Sequence, residues 1–326
     1  PIAVQLAASG IGKLHLVDFD TIAISNLHRQ VFYSLSDVGK SKAETLTSFI
    51  KDRAPFTEVH FSNTPITKNN VFDLISEVDI VVDGTDSLPT KYLLNDACVI
   101  KKKPLIYGSL FKFDGYVSSF NIKQEDGSYS ANLRDAFPKM ATDVPNCEEA
   151  GTLNAIVSFI AAQQVNEVLK IVTGVGKYLM NELLIYNSLQ NSQLKIKLTS
   201  LDSCHSERSR RISTIFENET YFDASCEVQN PALLISADEL KNELSLRTQS
   251  RRVEIISVTE NLQSPFQVDE TITISNLDTL QVDASKKYIM VCQKGISSYK
   301  ATKMLKEKFP KATILSLSGG ISNYEN

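Results

Sequence analysis

The sequence lacks the features of a membrane protein and of a protein that coats nucleic acid. No window approaches the roughly 18 consecutive apolar residues of a membrane span, and no secretory signal opens the chain. A basic excess is also missing, because the net charge is −4 at pH 7, whereas a nucleic-acid-coating surface needs a basic face. We therefore expect no membrane and no nucleic acid among its partners.

A repeated cysteine spacing is missing as well. The five cysteines are scattered along the chain: Cys98, Cys147, Cys204, Cys226 and Cys292. An odd number without a repeated spacing is typical of the reducing cytoplasm, where a cysteine is kept for packing, metal binding or reactivity. We expect a cytoplasmic protein, in which Cys98, inside an apolar helix, is a core residue.

The length of 326 residues predicts two domains. The 42% of hydrophobic and 22% of charged residues are values of a globular protein. We expect one domain over residues 1–200, a polar linker without periodicity over residues 201–227, and a second domain over residues 228–326. The basic run within the linker is expected to be solvated; it consists of Arg208, Arg210 and Arg211.

The first domain shows alternating strand and helix signals. A helix ending near Gly10 is followed by KLHLVDFD at residues 13–20, which predicts a buried parallel strand ending in acid. The alternation continues to Gly108 and predicts a doubly wound, Rossmann-like α/β sheet. Antiparallel strands around a long helix over residues 153–172 are expected to extend that sheet. The first strand and glycine-rich loop of such a fold would lie upstream of Pro1.

The second domain carries its own strand and helix signals. Ser236 and Glu239 form the pattern of a capping box ahead of an amphipathic helix. Buried strands are predicted over residues 253–258 and 288–291, and a helix over residues 299–309. These signals predict a second, small α/β domain.

Three polar stretches lie at or near the predicted carboxyl ends of strands, where open α/β sheets bind their ligands. They read VDFD, SNLHRQ with DVGKSK, and DGTDSLPT. Asp18 is placed for a ribose, while Arg29 and Lys42 supply cations for triphosphate oxygens. Asp86 is a carboxylate suited to Mg²⁺. The set indicates nucleotidyl transfer, in which cations neutralise the departing pyrophosphate.

The sequences of these stretches resemble those of the adenylyltransferases of the MoeB/ThiF family, which are relatives of ubiquitin-activating enzymes. The match runs over SNLHRQ, VGKSKAE, DGTDSLPTKYLLNDACV and KKKPLIYGSLFKFDGYVS and covers about residues 1–199. The resemblance implies a ribose ligand, three ATP-phosphate contacts and a Mg²⁺ ligand: Asp18, then Asn26, Arg29 and Lys42, then Asp86. It further implies a homodimer that joins AMP to the terminal glycine carboxylate of a small ubiquitin-like sulfur carrier ending in Gly-Gly.

A set of zinc ligands and one cysteine of the family need separate comparison with this sequence. Many members hold a structural zinc with two Cys-x-x-Cys pairs, but here Asn132 and Asp135 replace the first pair, and only Cys204 followed by His205 remains of the second. One cysteine and one adjacent histidine do not supply four ligands, so we expect no zinc site. Cys147, in VPNCEEAG before the long helix, is either a catalytic thiol or a conformational residue, and the sequence leaves both open.

Cys292 follows a predicted buried strand in YIMVCQKGISSYKATKMLKEKF. The loop after it points backbone N–H groups and a helix N-terminus at one sulfur, which favours a thiolate or persulfide anion. The segment 228–326 resembles a rhodanese domain, which implies a persulfide on Cys292, a cradle over residues 293–298, and a sulfur donor such as a cysteine desulfurase. Ser257 and Thr259 stand where rhodaneses usually carry Asp and Arg.

Three functions fit these observations. The first is an enzyme that adenylates a sulfur carrier with ATP and Mg²⁺ and then transfers sulfur to it. In the second, the rhodanese-like domain only docks partners beside an active adenylyltransferase. The third is a dinucleotide-dependent oxidoreductase, although two cations with Asp86 favour a triphosphate and a metal over a dinucleotide.

Overall fold

The computed structural model describes residues 1–140, 153–200, 205–221, 230–247, 253–260, 262–293 and 295–324. The chain divides into two compact units, Pro1–Asp223 and Ala224–Asn326. The division falls inside the segment predicted as a linker, near its carboxyl end.

The first unit alternates helices and strands as far as its fourth strand. Its helices are α1 (Ile2–Ala8), α2 (Lys42–Lys51), α3 (Val71–Leu74), α4 (Leu88–Lys101), α5 (Leu133–Ala136), α6 (Asn154–Thr173) and α7 (His205–Asn218). Its strands are β1 (Lys13–Val17), β2 (Glu58–Ser62), β3 (Val81–Val82), β4 (Leu105–Phe111), β5 (Asp114–Phe120), β6 (Glu182–Asn187) and β7 (Ser192–Lys197).

The strands of this unit form a mixed arrangement. β1 and β2 are a parallel pair, and a five-stranded sheet has the order β3-β4-β5-β6-β7. The β3-β4 pair is parallel and the remaining pairs are antiparallel, which confirms the α/β class with its antiparallel extension. The predicted burial of β1 is not observed. Leu14 and Leu16 are only half-buried, because β1 pairs with β2 alone among the described residues.

The long helix α6 is the core helix of this unit. It packs across β4 and β5 and buries Ile156, Ile160 and Val165. A Cβ on Gly115 of β5 would lie 2.3 Å from the Ile160 side chain, so glycine permits this close approach. With 20 residues and a mean hydropathy of 1.3, α6 is long and apolar enough to cross a membrane, which the sequence analysis did not anticipate. Its packing against the sheet accounts for that composition.

Helix α7 lies where the sequence predicted a linker. Ile212 and Phe216 are buried, and α7 packs against α4. Arg208, predicted to be solvated, is only 2% exposed, and its guanidinium donates to the carbonyls of Ser130 at 2.6 Å and Tyr129 at 3.2 Å. Residues 208, 212 and 216 are four apart and share one helix face. Because the first of these positions is an arginine, the sequence did not show that residues 208, 212 and 216 form one buried helix face.

The second unit is a parallel α/β layer. Its elements are β8 (Leu234–Ile235), α8 (Ala237–Arg247), β9 (Val253–Ser257), β10 (Glu270–Thr271), β11 (Lys287–Val291), α9 (Ile296–Lys308), β12 (Thr313–Leu317) and α10 (Gly320–Tyr324). All strands run parallel in the order β10-β9-β11-β12-β8. The capping box is confirmed, since the amide and hydroxyl of Ser236 each donate to Glu239 Oε2 at 2.8 Å.

Strand β7 ends the five-stranded sheet in the part of the chain that the structure describes. All six of its residues are exposed. Leu194 and Ile196 are 58% and 41% exposed, and Lys195 and Lys197 alternate with them along the strand.

Candidate active sites

Asp18 is influenced electrostatically by two other predicted site residues, Lys42 and Asp86. Asp18 directly follows β1, and its Oδ1 accepts a hydrogen bond from the Asp20 amide at 2.9 Å. Burial raises the pKa of the Asp18 carboxyl. The carboxylates of Asp20 and Asp86 act in the same direction, while the hydrogen bond from the Asp20 amide and the charge of Lys42 oppose it. Lys42 and Asp86 therefore both lie near enough to Asp18 to act on it.

Lys42 lies in the first turn of α2, where the Ser41 hydroxyl caps the helix by accepting from the Glu44 amide at 3.3 Å. The Lys42 side chain is 9% exposed, and its Nζ lies 2.7 Å from Oδ2 of Asp20. Asp20 was not among the predicted site residues. The signal for it was the second acid of VDFD, because both acids of that stretch follow the same strand.

Asn26 and Arg29 lie on the turn between β1 and α2. Asn26 is buried, and its Oδ1 accepts from the Ala23 amide at 3.2 Å. The half-buried Arg29 donates from Nη1 to the Ser25 carbonyl at 3.3 Å. Tyr33, further along this segment, donates from its hydroxyl to the Lys42 carbonyl at 3.0 Å. The turn is thereby tied to the start of α2.

The loop after β3 is organised by Asp83, which is 1% exposed. Its Oδ1 accepts from the Thr85 amide at 2.9 Å and from the Thr85 hydroxyl at 2.8 Å. Its Oδ2 lies 3.0 Å from Nζ of Lys91 on α4. Asp86 itself is exposed. Directly after it, the Ser87 hydroxyl caps α4 by accepting from the Thr90 amide at 3.1 Å.

Asp86 fits a hard cation, because its side chain offers carboxylate oxygens, which Mg²⁺ prefers. The charge of Asp86 raises the pKa of Asp18 after the larger effect of burial, so the two carboxylates repel one another. A divalent cation beside Asp86 would offset that repulsion.

The region implied for zinc does not fit that metal. Oδ2 of Asp135 accepts from the amide of Asn132 at 2.9 Å and from its Nδ2 at 2.7 Å. Guanidinium groups of Arg208 and Arg211 lie 3.9 and 3.7 Å from the same carboxylate. Among the described residues, no group of three or more His, Cys, Asp or Glu side chains could hold a metal. Cys204 and the His205 side chain lie outside that description, so the expectation of no zinc stays a prediction.

Cys292 lies at the end of β11 and is 3% exposed. Its Sγ accepts from the amides of Gly295 at 3.1 Å and Ser298 at 3.3 Å, which is the predicted cradle. Helix α9 begins at Ile296 rather than at the predicted residue 299, because Gly295 caps it in the left-handed conformation with φ +82°. The backbone of this loop is therefore aimed at one sulfur.

Two buried hydroxyls stand behind Cys292. The Ser298 hydroxyl lies 3.3 Å from Sγ. The Ser316 hydroxyl of β12 donates to the Ser298 hydroxyl at 2.9 Å. Ser316 was not predicted, because it comes from a strand distant in sequence. Behind the loop, the Ile321 amide donates to the Cys292 carbonyl at 3.0 Å. A Cβ on Gly295 would lie 2.8 Å from the Gly320 nitrogen, so this packing requires glycine.

The remaining predicted residues are placed as follows. Ser257 and Thr259 form a local turn, in which the Ser257 hydroxyl donates to the Thr259 carbonyl at 2.7 Å. Cys98 is fully buried, which confirms it as a core residue, and burial raises the pKa of its thiol. Cys147 lies outside the described residues, as do Cys204 and Cys226. Its role therefore stays open.

Comparisons with known proteins identify the family and the fold of the first unit. A sequence model of the ThiF family matches residues 1–206. The Drosophila sechellia protein named adenylyltransferase and sulfurtransferase MOCS3 is 31% identical over 343 residues, covering 98% of this chain and 74% of that protein. The Mycobacterium tuberculosis (strain CDC 1551 / Oshkosh) protein named probable adenylyltransferase/sulfurtransferase MoeZ is 37% identical over 200 residues. The match covers 61% of this chain and 51% of that protein. The crystal structure of E. coli MccB with ATP shares the fold, with a TM-score of 0.53 and 21% identity over 62% of each chain.

Proposed function

Because the chain belongs to the ThiF family, we propose that it adenylates the C-terminal carboxylate of a small ubiquitin-like sulfur carrier and then transfers sulfur to it. The observation that carries the proposal is that the charges of Lys42 and Asp86 act on Asp18 at the end of β1, in a chain that also cradles Cys292. The similarity to a protein named adenylyltransferase and sulfurtransferase extends over 98% of the chain, which supports joining the two activities.

In the adenylation step, a carboxylate oxygen of the carrier attacks the α-phosphorus of ATP. The bond to the β-phosphate breaks, and pyrophosphate leaves with the electron pair. Lys42 and Arg29 stabilise the charge that develops on pyrophosphate, and Asn26 adds a polar contact. Asp18 accepts from a ribose hydroxyl. Asp86 would hold Mg²⁺, which supplies charge neutralisation on the phosphates when it is bound.

Lys42 pairs with two anions in turn in this proposal. Its Nζ lies 2.7 Å from Oδ2 of Asp20. The Asp20 side chain is 48% exposed, so water compensates its charge when phosphate oxygens take its place. The pair thus keeps a nearly buried ammonium neutralised until the triphosphate arrives.

The sulfur step uses Cys292 as the carrier of a persulfide. Its terminal sulfur attacks the carbonyl carbon of the acyl adenylate, a C–S bond forms, and AMP leaves with the electron pair of the broken C–O bond. A second thiolate then attacks Sγ of Cys292, which forms a disulfide and releases the thiocarboxylate. Cys147 is the candidate for that thiol. A cysteine desulfurase is the proposed source of the persulfide sulfur, and the working form is a homodimer in the cytoplasm.

The test is pyrophosphate exchange into ATP with carriers that end in Gly-Gly and are encoded in the same genome. We expect exchange that depends on the carrier and is lost in Asp86→Ala. Cys292→Ala should retain exchange but make no thiocarboxylate, whereas Cys98→Ala, at a buried core cysteine, should retain both. Absence of exchange with all such carriers contradicts the proposal.

The same variants distinguish the proposed sulfur transfer from a second function, in which the second unit only docks partners. If the second unit only docks partners, Cys292→Ala will form thiocarboxylate as the wild type does, and sulfide release from thiosulfate will not depend on Cys292. The hydrogen bonds that aim two amides at Sγ favour the chemical role over this one.

A further inference from the structure

An exposed carboxylate lies between two fixed stretches of chain in the first unit. Asp86 is exposed, while Asp83 before it and Ser87 after it are buried and hydrogen-bonded. We propose that Lys91 and Asp83 are positioning residues that fix the backbone from which the Asp86 carboxylate projects. The inference rests on the proposed adenylation and adds residues that act through Asp86.

The contacts that hold the backbone beside Asp86 include a buried ion pair. Nζ of Lys91 lies 3.0 Å from Oδ2 of Asp83, and the two side chains are 4% and 0% exposed. Removing both charges from water costs several kcal/mol per ion, so such a pair is often no more stabilising than apolar residues of similar volume. Stability alone therefore gives little reason for charged groups at these positions, and a geometric role explains them.

The ammonium of Lys91 joins three elements. Besides Asp83 at the end of β3, it donates to the Gly108 carbonyl of β4 at 2.7 Å, while Lys91 itself lies on α4. The other oxygen of the Asp83 carboxylate accepts from the amide and hydroxyl of Thr85. One carboxylate thus connects the ammonium to the residue that precedes Asp86.

A fourth element fixes the backbone of Asp83. From α6, Nε2 of Gln164 donates to the Asp83 carbonyl at 2.7 Å and to the Ile106 carbonyl at 3.3 Å. A Cβ on Gly108 would lie 2.4 Å from Cδ of Gln164, so only glycine leaves room for this amide. Both the side chain and the main chain of Asp83 are held.

These contacts leave Asp86 little freedom except at its own side-chain torsions. A ligand whose direction is fixed in advance loses less entropy when it binds. Outer contacts that orient a metal ligand typically contribute tenfold to hundredfold in metal affinity or activity.

The same helix provides a matched control. Asp96 of α4 pairs with Arg134 at 2.7 Å, and the two side chains are 0% and 3% exposed. This pair is as buried as that of Lys91 and Asp83, but its further contacts are with Asn95 and Tyr221. Its loss should weaken the fold without changing the direction of Asp86.

The experiment measures ATP binding to the full chain by calorimetry, with Mg²⁺ and with EDTA. The variant is Asp83→Asn with Lys91→Met, which removes both buried charges together and keeps an Oδ1 acceptor for Thr85. We expect the wild type to bind ATP more tightly with Mg²⁺. In the double variant that gain should fall about tenfold, while the affinity measured in EDTA stays at the wild-type value. The matched control, Asp96→Asn with Arg134→Met, also removes both charges of a buried pair and should keep the full gain.

Two results overturn the inference. An undiminished gain in Asp83→Asn with Lys91→Met shows that Lys91 and Asp83 do not position Asp86. An equal loss in Asp96→Asn with Arg134→Met shows a general effect of destabilisation. The proposed function fails in a different way. A wild type that binds ATP equally well with and without Mg²⁺ removes the role of Asp86 itself and this inference with it.

Discussion

The ammonium of Lys42 lies 2.7 Å from the carboxylate of Asp20, and the two side chains are 9% and 48% exposed. A nearly buried cation is thus neutralised by a partner that water can reach. Of the two, Asp20 is the one that can leave at little cost, because its charge can be solvated. Lys42 is therefore held ready for a second anion.

We expect Lys42→Met to weaken ATP binding by about 2 kcal/mol, which is about thirtyfold, because a hydrogen bond to a charged group is lost. Calorimetric titration with ATP measures this change. The control is Lys40→Met, since Lys40 is more exposed and pairs with Asp37 at 2.9 Å. Equal affinities in the two variants would contradict the role of Lys42.

Asp18→Asn should stabilise the first unit at pH 7. Burial raises the pKa of Asp18 above its unfolded value, so its ionised form costs the folded state free energy. The folded state is favoured below the unfolded pKa, and that contribution is lost as the pH rises through the folded pKa. Asparagine is neutral throughout and keeps the acceptor for the Asp20 amide.

Urea unfolding at several pH values checks this prediction. We expect the variant to be more stable than the wild type at pH 7 and to lose this advantage as the pH falls to the unfolded pKa of the carboxyl, because the wild-type carboxyl is then protonated as well. ATP binding should weaken at the same time. Asp79→Asn is the control at an exposed aspartate of the same unit. A gain that does not depend on pH would refute the explanation by burial.

Ser298→Ala should slow sulfur transfer from thiosulfate or a persulfide about fivefold, because a hydrogen bond worth about 1 kcal/mol is removed from Sγ of Cys292. Ser316→Ala should slow it less, since Ser316 reaches the sulfur only through Ser298.

A variant that combines Ser298→Ala with Ser316→Ala tests whether Ser316 acts through Ser298. If it does, Ser316→Ala will not slow sulfur transfer further in the Ser298→Ala background. Ser257→Ala is the control, because Ser257 is also buried and its hydroxyl donates to Thr259. Additive effects of the two substitutions would mean that Ser316 acts independently of Ser298.

Chelation should leave the stability of the first unit unchanged, because guanidinium groups supply the positive charge beside Asp135. Arg208→Met should lower the free energy of unfolding by about 3 kcal/mol, since the carbonyls of Ser130 and Tyr129 lose their charged donor and Asp135 loses one of its two guanidinium neighbours. Arg210→Met, at an exposed position of α7, should change it by at most about 0.5 kcal/mol. Stoichiometric zinc in the purified protein, or a lower melting temperature in EDTA, would be the contrary outcome.

The elements predicted well from the sequence are those fixed by local signals. The end of α6 was predicted within one residue of Thr173, because Gly174 adopts the left-handed conformation there with φ 68°. The cradle of Cys292 was likewise predictable. Its donors are the backbone amides of Gly295 and Ser298, which depend only on the spacing of strand, loop and helix.

Contacts between distant segments could not be predicted in this way. Lys91 lies in an apolar helix, and nothing local shows which carboxylate it meets; Asp83 is its partner because β3 ends beside α4. Arg208 looked solvated for the same reason, since its acceptors at Tyr129 and Ser130 come from another part of the chain. Asp20 was missed although its position was known, because its pairing with Lys42 depends on the path of the intervening turn.

The exposed edge strand β7 has a consequence for solubility. Its outer backbone groups could pair with the same strand of another copy, and its apolar Leu194 and Ile196 would favour such sheets. Lys195 and Lys197 would then bring like charges of both copies together, which opposes that pairing. These two lysines therefore oppose edge-to-edge pairing between copies of the chain, an effect that is independent of ATP and sulfur.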